Sequence, residues 1–312
     1  MGFHVPVMAR EAVAHLVVDP AATYIDATAG GGGHSAAIAA ALRASGRLLA
    51  IDRDAAAVAA SRARLAPFGD RVQVVNADYA AMAACCRRCG IQSVRGVLFD
   101  LGVSSHQIDT PARGFSHRAS GPLDMRMDER QPETAAAWLA RASVEAIARA
   151  LRDYGEERAA RRVARAIVAR RQRGELRTTA DLRAAVMACR PTAPNKTLAR
   201  VFQAIRIVVN AELAQLERGL EEAAALLEPG GRLVVLTYQS GEDRVVKRKM
   251  EGLVRGCICP PRAPVCTCGR LPTFRRAVRR PLRAAAAEIA ANPRARSARL
   301  RVYEKLGEEA AR

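Results

Sequence analysis

The stretch YIDATAGGGGHSAAIAAALRA, residues 24–44, constrains the fold more than any other part of the chain. Gly30 to Gly33 separate a short apolar segment from an alanine-rich one, and alanine is the best helix former. A strand, a glycine turn and a helix in succession leave backbone N–H groups and a helix N-terminus facing whatever lies at the turn. The same rhythm repeats. TYIDAT (23–28), GRLLAID (46–52), RVQVVNAD (71–78) and VRGVLFDLG (94–102) read as strands. HSAAIAAALRA (34–44) and AAAVAASRARLA (55–66) read as helices between them. Strands alternating with helices of this length predict a parallel sheet covered on both faces.

The alternation stops at about residue 108. A turn-rich run, DTPARGFSHRASGPLDMRMD (109–128), is followed by helical patterns up to about residue 196. One of them, TTADLRAAVMACR, opens with Thr178 and Asp181 at capping-box spacing. One long helix is expected over 198–227, then a turn and a late strand in EPGGRLVVLTYQS (228–240). The division expected is a core in two parts, 1–107 and 198–312, with a helical domain inserted at 108–197.

Half of the 312 residues are hydrophobic but only 4% are aromatic, so the core must be built from Ala, Leu, Val and Ile. Lys and Arg number 50 against 31 Asp and Glu, a formal charge of +19, which favours a polyanionic partner. No apolar run is long enough for a membrane span. The start, MGFHVPVMAREAV, has neither the charged and apolar regions of a signal peptide nor a myristoylation motif. A cytoplasmic location is expected, with the eight cysteines as thiols or metal ligands rather than disulfides.

The glycine turn admits three ligand classes. A P-loop needs Gly-Lys-Ser/Thr at its end, and Gly33-His34-Ser35 stands there instead. A dinucleotide fingerprint fits Gly30 and Gly32 but places Ser35 where a third glycine or an alanine belongs. The third class is S-adenosylmethionine. Asp52 ends the second strand, where an acid can accept both ribose hydroxyls, and this suits NAD and S-adenosylmethionine equally. Asp78 and Tyr79 follow the third strand, suited to an adenine by a polar contact and a stacked ring. Asp100 ends the fourth, where the ligand crevice of such a sheet opens. A single strand-ending acid is an ordinary solvated residue; three in successive strands beside a glycine turn point to a site.

Several segments together resemble one family closely. They are HVPVM (4–8), TAGGGGHS (28–35), IDRD (51–54), DLGVSSHQID (100–109), RGFS (113–116) and GPLDMRMD (121–128). YGEERAARRVARAIV (154–168), FQAIRIVVNAEL (202–213), GEDRVVKR (241–248) and NPRARSARLRV (292–302) continue the match nearly end to end. The family is the bacterial 16S ribosomal RNA cytosine-N4 methyltransferases, the MraW or RsmH family. The resemblance implies an α/β fold, a Rossmann-like class I S-adenosylmethionine-dependent methyltransferase core with an inserted helical domain. It implies methylation of the N4 amino group of a cytidine in the decoding centre of the small ribosomal subunit. Carried over by position, the cofactor residues are Gly32, Gly33, His34, Asp52, Tyr79, Asp100 and Gln107, with the glycines against the methionine end of the cofactor.

The cytosine N4 lone pair is delocalised into the ring, so acceptors for its hydrogens help, and Asp100 is the candidate catalytic residue. The target base must leave its stack. Ser104, Ser105 and the loop holding Arg113, Asp124 and Arg126 are candidates to receive it, and the same loop reads equally well as a structural turn. A C5-cytosine mechanism needs a thiol nucleophile, and no Pro-Cys pair stands near the strand end. Gln239 replaces the histidine usual in the family, and His106 the usual proline. The competing functions are an NAD-dependent oxidoreductase and a non-catalytic RNA-binding protein.

Cys257, Cys259, Cys266 and Cys268 lie in GCICPPRAPVCTCG (256–269). Four thiols this close can bind zinc. The spacing is Cys-x-Cys twice and the resemblance implies no zinc, so a stiff proline-rich loop of reduced thiols is the expectation. Cys85, Cys86 and Cys89 read as small residues of a helix. FRRAVRRPLR (274–283), RARSARLR (294–301) and the helix RRVARAIVARRQR (161–173) carry basic faces suited to phosphates, each contact adding about 0.7–0.9 to the salt dependence of log K. Leu300, Val302 and Leu306 mark a buried final strand within that tail.

Overall fold

The computed structural model describes residues 6–260, 265–307 and 309. His4 and Val5 of the HVPVM segment, the start of the chain, and Pro261 and Pro264 of the cysteine loop lie outside them. Two compact units are present. One joins Met1–Gly102 to Leu213–Arg312; the other is Val103–Glu212.

The first unit begins α1 (Ala9–Leu16), β1 (Thr23–Asp26), α2 (Gly33–Ala41), β2 (Arg47–Asp52), α3 (Ala55–Leu65), β3 (Val72–Asn76), α4 (Met82–Arg88) and β4 (Val94–Asp100). The second holds α5 (Ser105–Asp109), α6 (Ala135–Arg141), α7 (Val144–Asp153), α8 (Ala160–Gln172), α9 (Thr179–Ala188) and α10 (Pro194–Val209). The first then resumes with α11 (Glu212–Leu226), β5 (Leu227–Thr237), α12 (Ser240–Arg255), β6 (Phe274–Arg276), α13 (Ala286–Ala291) and β7 (Arg299–Lys305).

Among the described residues the strands form one seven-stranded sheet in the order β3-β2-β1-β4-β5-β7-β6. β1 pairs in parallel with β2 on one side and β4 on the other, so the strand order reverses there. A reversal of this kind opens a crevice at the carboxyl ends of the strands. Only β7 runs against the others, antiparallel to both of its neighbours, β5 and β6. The central strands are apolar on both faces, as a sheet covered twice requires. Ile25, Leu49, Val97, Phe99 and Val235 pack on Met82 of α4 and Leu216 and Leu220 of α11. Tyr24, Leu48, Leu98, Val234 and Leu236 pack on Leu16 of α1 and Ile38 of α2. Each such buried side chain stabilises the fold by about 1.5–3 kcal/mol. The EPGG segment expected as a turn is part of β5. Leu227 pairs with Val94 and Arg232 with Gly96, so the segment bulges out of register between them. Leu300 and Val302 are buried as expected, whereas Leu306 is half-buried.

The second unit is helical around its own core, including Trp138, Leu139, Ile147, Ile167, Leu182 and Phe202. Thr178 and Asp181 form the capping box over α9. The single helix expected over 198–227 is two. Ala211 adopts φ 47°, a left-handed conformation that ends α10, and α11 starts one residue later. Leu198, Val201, Phe202 and Ile205 bury α10 in the second unit's core, which is why that unit runs to Glu212 rather than 197. Among the described residues, no helix is long and apolar enough to cross a membrane.

Candidate active site

The carboxyl ends of β1, β2, β4 and β5 and the first turn of α2 place five polar side chains in the first unit. Asp26 ends β1 fully buried; its Oδ2 accepts from Ser35 Oγ at 2.6 Å and its Oδ1 from the Thr28 N–H at 3.1 Å. Burial raises its pKa above the ordinary carboxylate range, against the pull of His34 and these two bonds. Asp100 ends β4, with its N–H donating to Thr28 Oγ1 at 2.6 Å. Its Oδ1 accepts from the Tyr238 hydroxyl at 2.7 Å, and its Oδ2 lies 3.3 Å from His34 Nε2. Burial first, then the charge of Asp100, lifts the Tyr238 hydroxyl well above its ordinary pKa, so it stays a proton donor to Asp100.

His34 is buried in the first turn of α2. Burial alone disfavours its imidazolium, but the carboxylates of Asp100, Asp26 and Glu288 outweigh it and raise the pKa. Its Nδ1 is buried and has no hydrogen-bond partner among the described residues. Asp52 ends β2. Its Oδ2 accepts from the Gly30 N–H at 2.7 Å and its Oδ1 from the Asp54 N–H at 2.9 Å. The residue keeps a solvent-facing edge, yet the protein packed around its carboxyl pushes it up to about 6 despite both bonds. Each oxygen still has a lone pair to offer.

The glycine turn divides by role. Gly30 and Gly32 have φ of 52° and 76°, where side chains are disfavoured. A Cβ on Gly32 would stand 3.2 Å from Ser61 Cα of α3, and one on Gly33 3.2 Å from Pro6. At these two positions the protein's own packing demands the bare backbone. A Cβ on Gly30 would meet nothing nearer than the Thr28 carbonyl at 3.9 Å. Of these three, Gly30 is therefore the one that leaves open space.

Asp78 accepts from the Ala80 N–H and pairs with Arg53 at 3.3 Å. Tyr79 is buried edge-on to Phe99, with ring centroids 5.5 Å apart. The remaining expected residues belong to the second unit. Ser104 caps α5: its Oγ accepts from the Gln107 N–H, and Gln107 Oε1 accepts from the Ser104 N–H. Ser105 is the first residue of α5. Arg113 is buried, its guanidinium donating to the carbonyls of Arg126 and Met127. Asp124 grips Arg126 through two bonds of 2.8 Å, and Arg126 Nη1 donates to the carbonyls of Glu129 and Gln131. The charges of Arg113, Asp124 and Arg126 are thus spent on this segment of the chain. Its anchor is Asn210, which accepts from the Met127 N–H and donates to the Met125 carbonyl, both at 2.7 Å. Neither Tyr238 nor Asn210 was singled out from sequence. Tyr238 follows a strand beside β4, so the strand-end rule that found Asp100 applies to it as well.

A model of the MraW methylase family matches residues 1–306. A protein of Symbiobacterium thermophilum named ribosomal RNA small subunit methyltransferase H is 48% identical over 98% of this chain and 98% of its own. Its namesake in Heliobacterium modesticaldum is 45% identical over 97% and 98%. Among solved structures, a putative rRNA-methylase from Clostridium thermocellum overlaps 96% of this chain and 94% of its own, with a TM-score of 0.44 at 14% identity. With that whole-chain match, and a glycine turn and strand-end acids at the reversal of the sheet, the chain belongs to the MraW methylase family of S-adenosylmethionine-dependent methyltransferases.

Proposed function

We propose that the protein methylates the N4 amino group of a cytidine in 16S ribosomal RNA of the small ribosomal subunit, acting in the cytoplasm. The observation that carries this reading is the strand-end cluster: a carboxylate held by a tyrosine and facing a histidine, beside a glycine turn and a second, half-buried acid. The cluster fits S-adenosylmethionine on three counts. Gly30 leaves space at the turn, Asp52 keeps acceptor capacity, and His34 Nδ1 is a buried polar atom in need of a partner.

S-adenosylmethionine supplies an electrophilic methyl group on a sulfonium. Asp52 would accept hydrogen bonds from the ribose hydroxyls. His34 and the turn at Gly32 and Gly33 hold the methionine end; Gly32 acts by shape, because its own N–H is spent on the Ala29 carbonyl. Tyr79 would border the adenine; Gln107 is assigned to the cofactor by the family resemblance alone. Asp100 would accept a hydrogen bond from the N4 amino group, which localises the nitrogen lone pair; the N4–methyl bond forms as the sulfur–methyl bond breaks, and the surplus N4 proton passes to water. Tyr238 fixes the orientation of that carboxylate. Alignment of nitrogen, methyl and sulfur can supply on the order of 7–11 kcal/mol of the barrier.

The second unit receives the RNA. Ser104, Ser105 and the 113–128 loop form the receiving surface, with Arg113, Asp124 and Arg126 acting by holding the loop rigid. The exposed Arg161, Arg162 and Arg165 of α8, and Arg279, Arg280 and Arg283 in the other unit, suit phosphates.

Asp100→Asn tests the role of the carboxylate. Cofactor affinity should stay within a few-fold while methyl transfer falls by about 10²-fold or more. Near-normal turnover with normal cofactor binding would remove Asp100 from the chemistry.

A further inference from the structure

Cys257, Cys259, Cys266 and Cys268 converge on one point in the loop between α12 and β6. Their four Sγ atoms all lie within 4.8 Å of one another. Cys257 and Cys266 are 3.5 Å apart, Cys266 and Cys268 3.6 Å, Cys268 and Cys257 3.7 Å, and Cys259 and Cys266 3.9 Å. A disulfide needs sulfurs about 2.05 Å apart, so none of these pairs is bonded. A tetrahedron of thiolates about 2.3 Å from a central zinc has edges of about 3.8 Å. The four measured edges bracket that value.

Packing does not account for the convergence. Cys85 and Cys86 behave as small apolar residues, buried in the core of the first unit. Among its described residues the loop has no such core: Ile258 and Val265, beside the thiols, are 63% and 71% exposed, and Cys266 is itself exposed. The sulfurs face one another while the apolar side chains face solvent. Both ends of the loop are fixed within the first unit. Gly256 ends α12, the Thr273 N–H donates to the Leu253 carbonyl at 3.0 Å, and Phe274 then enters β6. The Thr267 N–H points at Cys259 Sγ from 3.4 Å, a donor suited to a metal-bound thiolate.

We infer that these four cysteines bind one zinc ion as a closed tetrathiolate site. With all four positions filled by protein, the ion has no open coordination position and its role is structural. It pins the α12–β6 connection in a loop without a core of its own, and so supports β6 at the edge of the sheet. The inference is independent of the methylation reaction.

The test uses the full chain, purified under reducing conditions without chelator after growth with zinc. Elemental analysis should find one zinc per chain. X-ray absorption at the zinc edge should show four sulfur neighbours at about 2.3 Å. The double variant Cys266→Ser with Cys268→Ser should lose the metal, whereas Cys189→Ser, in the second unit, should keep it. If the double variant fails to fold, the unmodified protein still decides: a mercurial reagent should release zinc as it titrates four of the eight thiols. Absence of stoichiometric zinc after reconstitution, nitrogen or oxygen neighbours in the absorption spectrum, or disulfides among the four cysteines would each overturn the inference.

Discussion

Lowering the pH through about 6 should weaken the binding of S-adenosylhomocysteine, because Asp52 holds a proton in the free protein that the ligand needs removed. Burial pushes this carboxyl up to about 6. Two ribose hydroxyls donate more strongly to the ionised form, whose oxygens both accept, so binding returns the group toward the ordinary value of about 3.9. Affinity then follows the ionised fraction in the free protein. That fraction is nearly complete at about pH 7.5, about one half at pH 6 and about one tenth at pH 5. The expected loss from pH 7.5 to 5 is about tenfold, or about 1.4 kcal/mol. Stability of the free protein has the opposite sign. With its folded pKa raised, Asp52 contributes stability that is full below about pH 3.9 and lost as the pH rises through about 6, by at most about 3 kcal/mol. Titration calorimetry across this range reads the affinity. His34, whose pKa the surrounding carboxylates raise, is a second titratable group at the site, and Asp52→Asn separates the two: its binding should be weak at every pH and lack the tenfold step. Wild-type affinity that is flat or rises toward pH 5, with Asp52→Asn binding normally, would refute the assignment of Asp52 to the ribose.

Gly32→Ala forces a side chain to φ 76° and within 3.2 Å of Ser61 Cα, and should cost about 2–3 kcal/mol in urea unfolding. Gly30→Ala, with open space around it, should cost only about 1 kcal/mol; equal losses would contradict the division of the turn. Tyr238→Phe removes the donor to Asp100 Oδ1 and should slow methyl transfer about tenfold or more with cofactor affinity unchanged, as steady-state kinetics and calorimetry would reveal. Unchanged turnover would show that the tyrosine does not orient the carboxylate. Asn210→Ala strands the Met127 N–H and the Met125 carbonyl and should destabilise the second unit by about 2–4 kcal/mol, read as lost hydrogen-exchange protection around residues 123–131.

The sheet and its acids were legible because each parallel strand writes itself as an apolar run ending in a polar residue, as in RLLAID and VRGVLFD. The glycine turn was legible for the same reason, although what occupies the glycines' missing side chains was not: Ser61 and Pro6 come from distant parts of the chain. The break at Ala211 was invisible because it contains neither glycine nor proline and lies between two good helical patterns. Its cause is tertiary, since Asn210 is drawn into bonds with Met125 and Met127 some 80 residues earlier. The buried pair of Arg206 and Glu212 was hidden likewise, because charged residues near a helix end ordinarily face water. In the 121–128 loop, GPLDMRMD displays charges that suggest contact with a ligand. In the folded chain Arg113 satisfies carbonyls of that loop, and Arg126 those of Glu129 and Gln131 just beyond it.

The central claim is most directly tested by incubating the protein with radiolabelled S-adenosylmethionine and small ribosomal subunits lacking the modification, then digesting the RNA to nucleosides. Label recovered in N4-methylcytidine at one site of the 16S RNA is the predicted result. Label in another nucleoside, or none while the cofactor remains bound, would contradict the account.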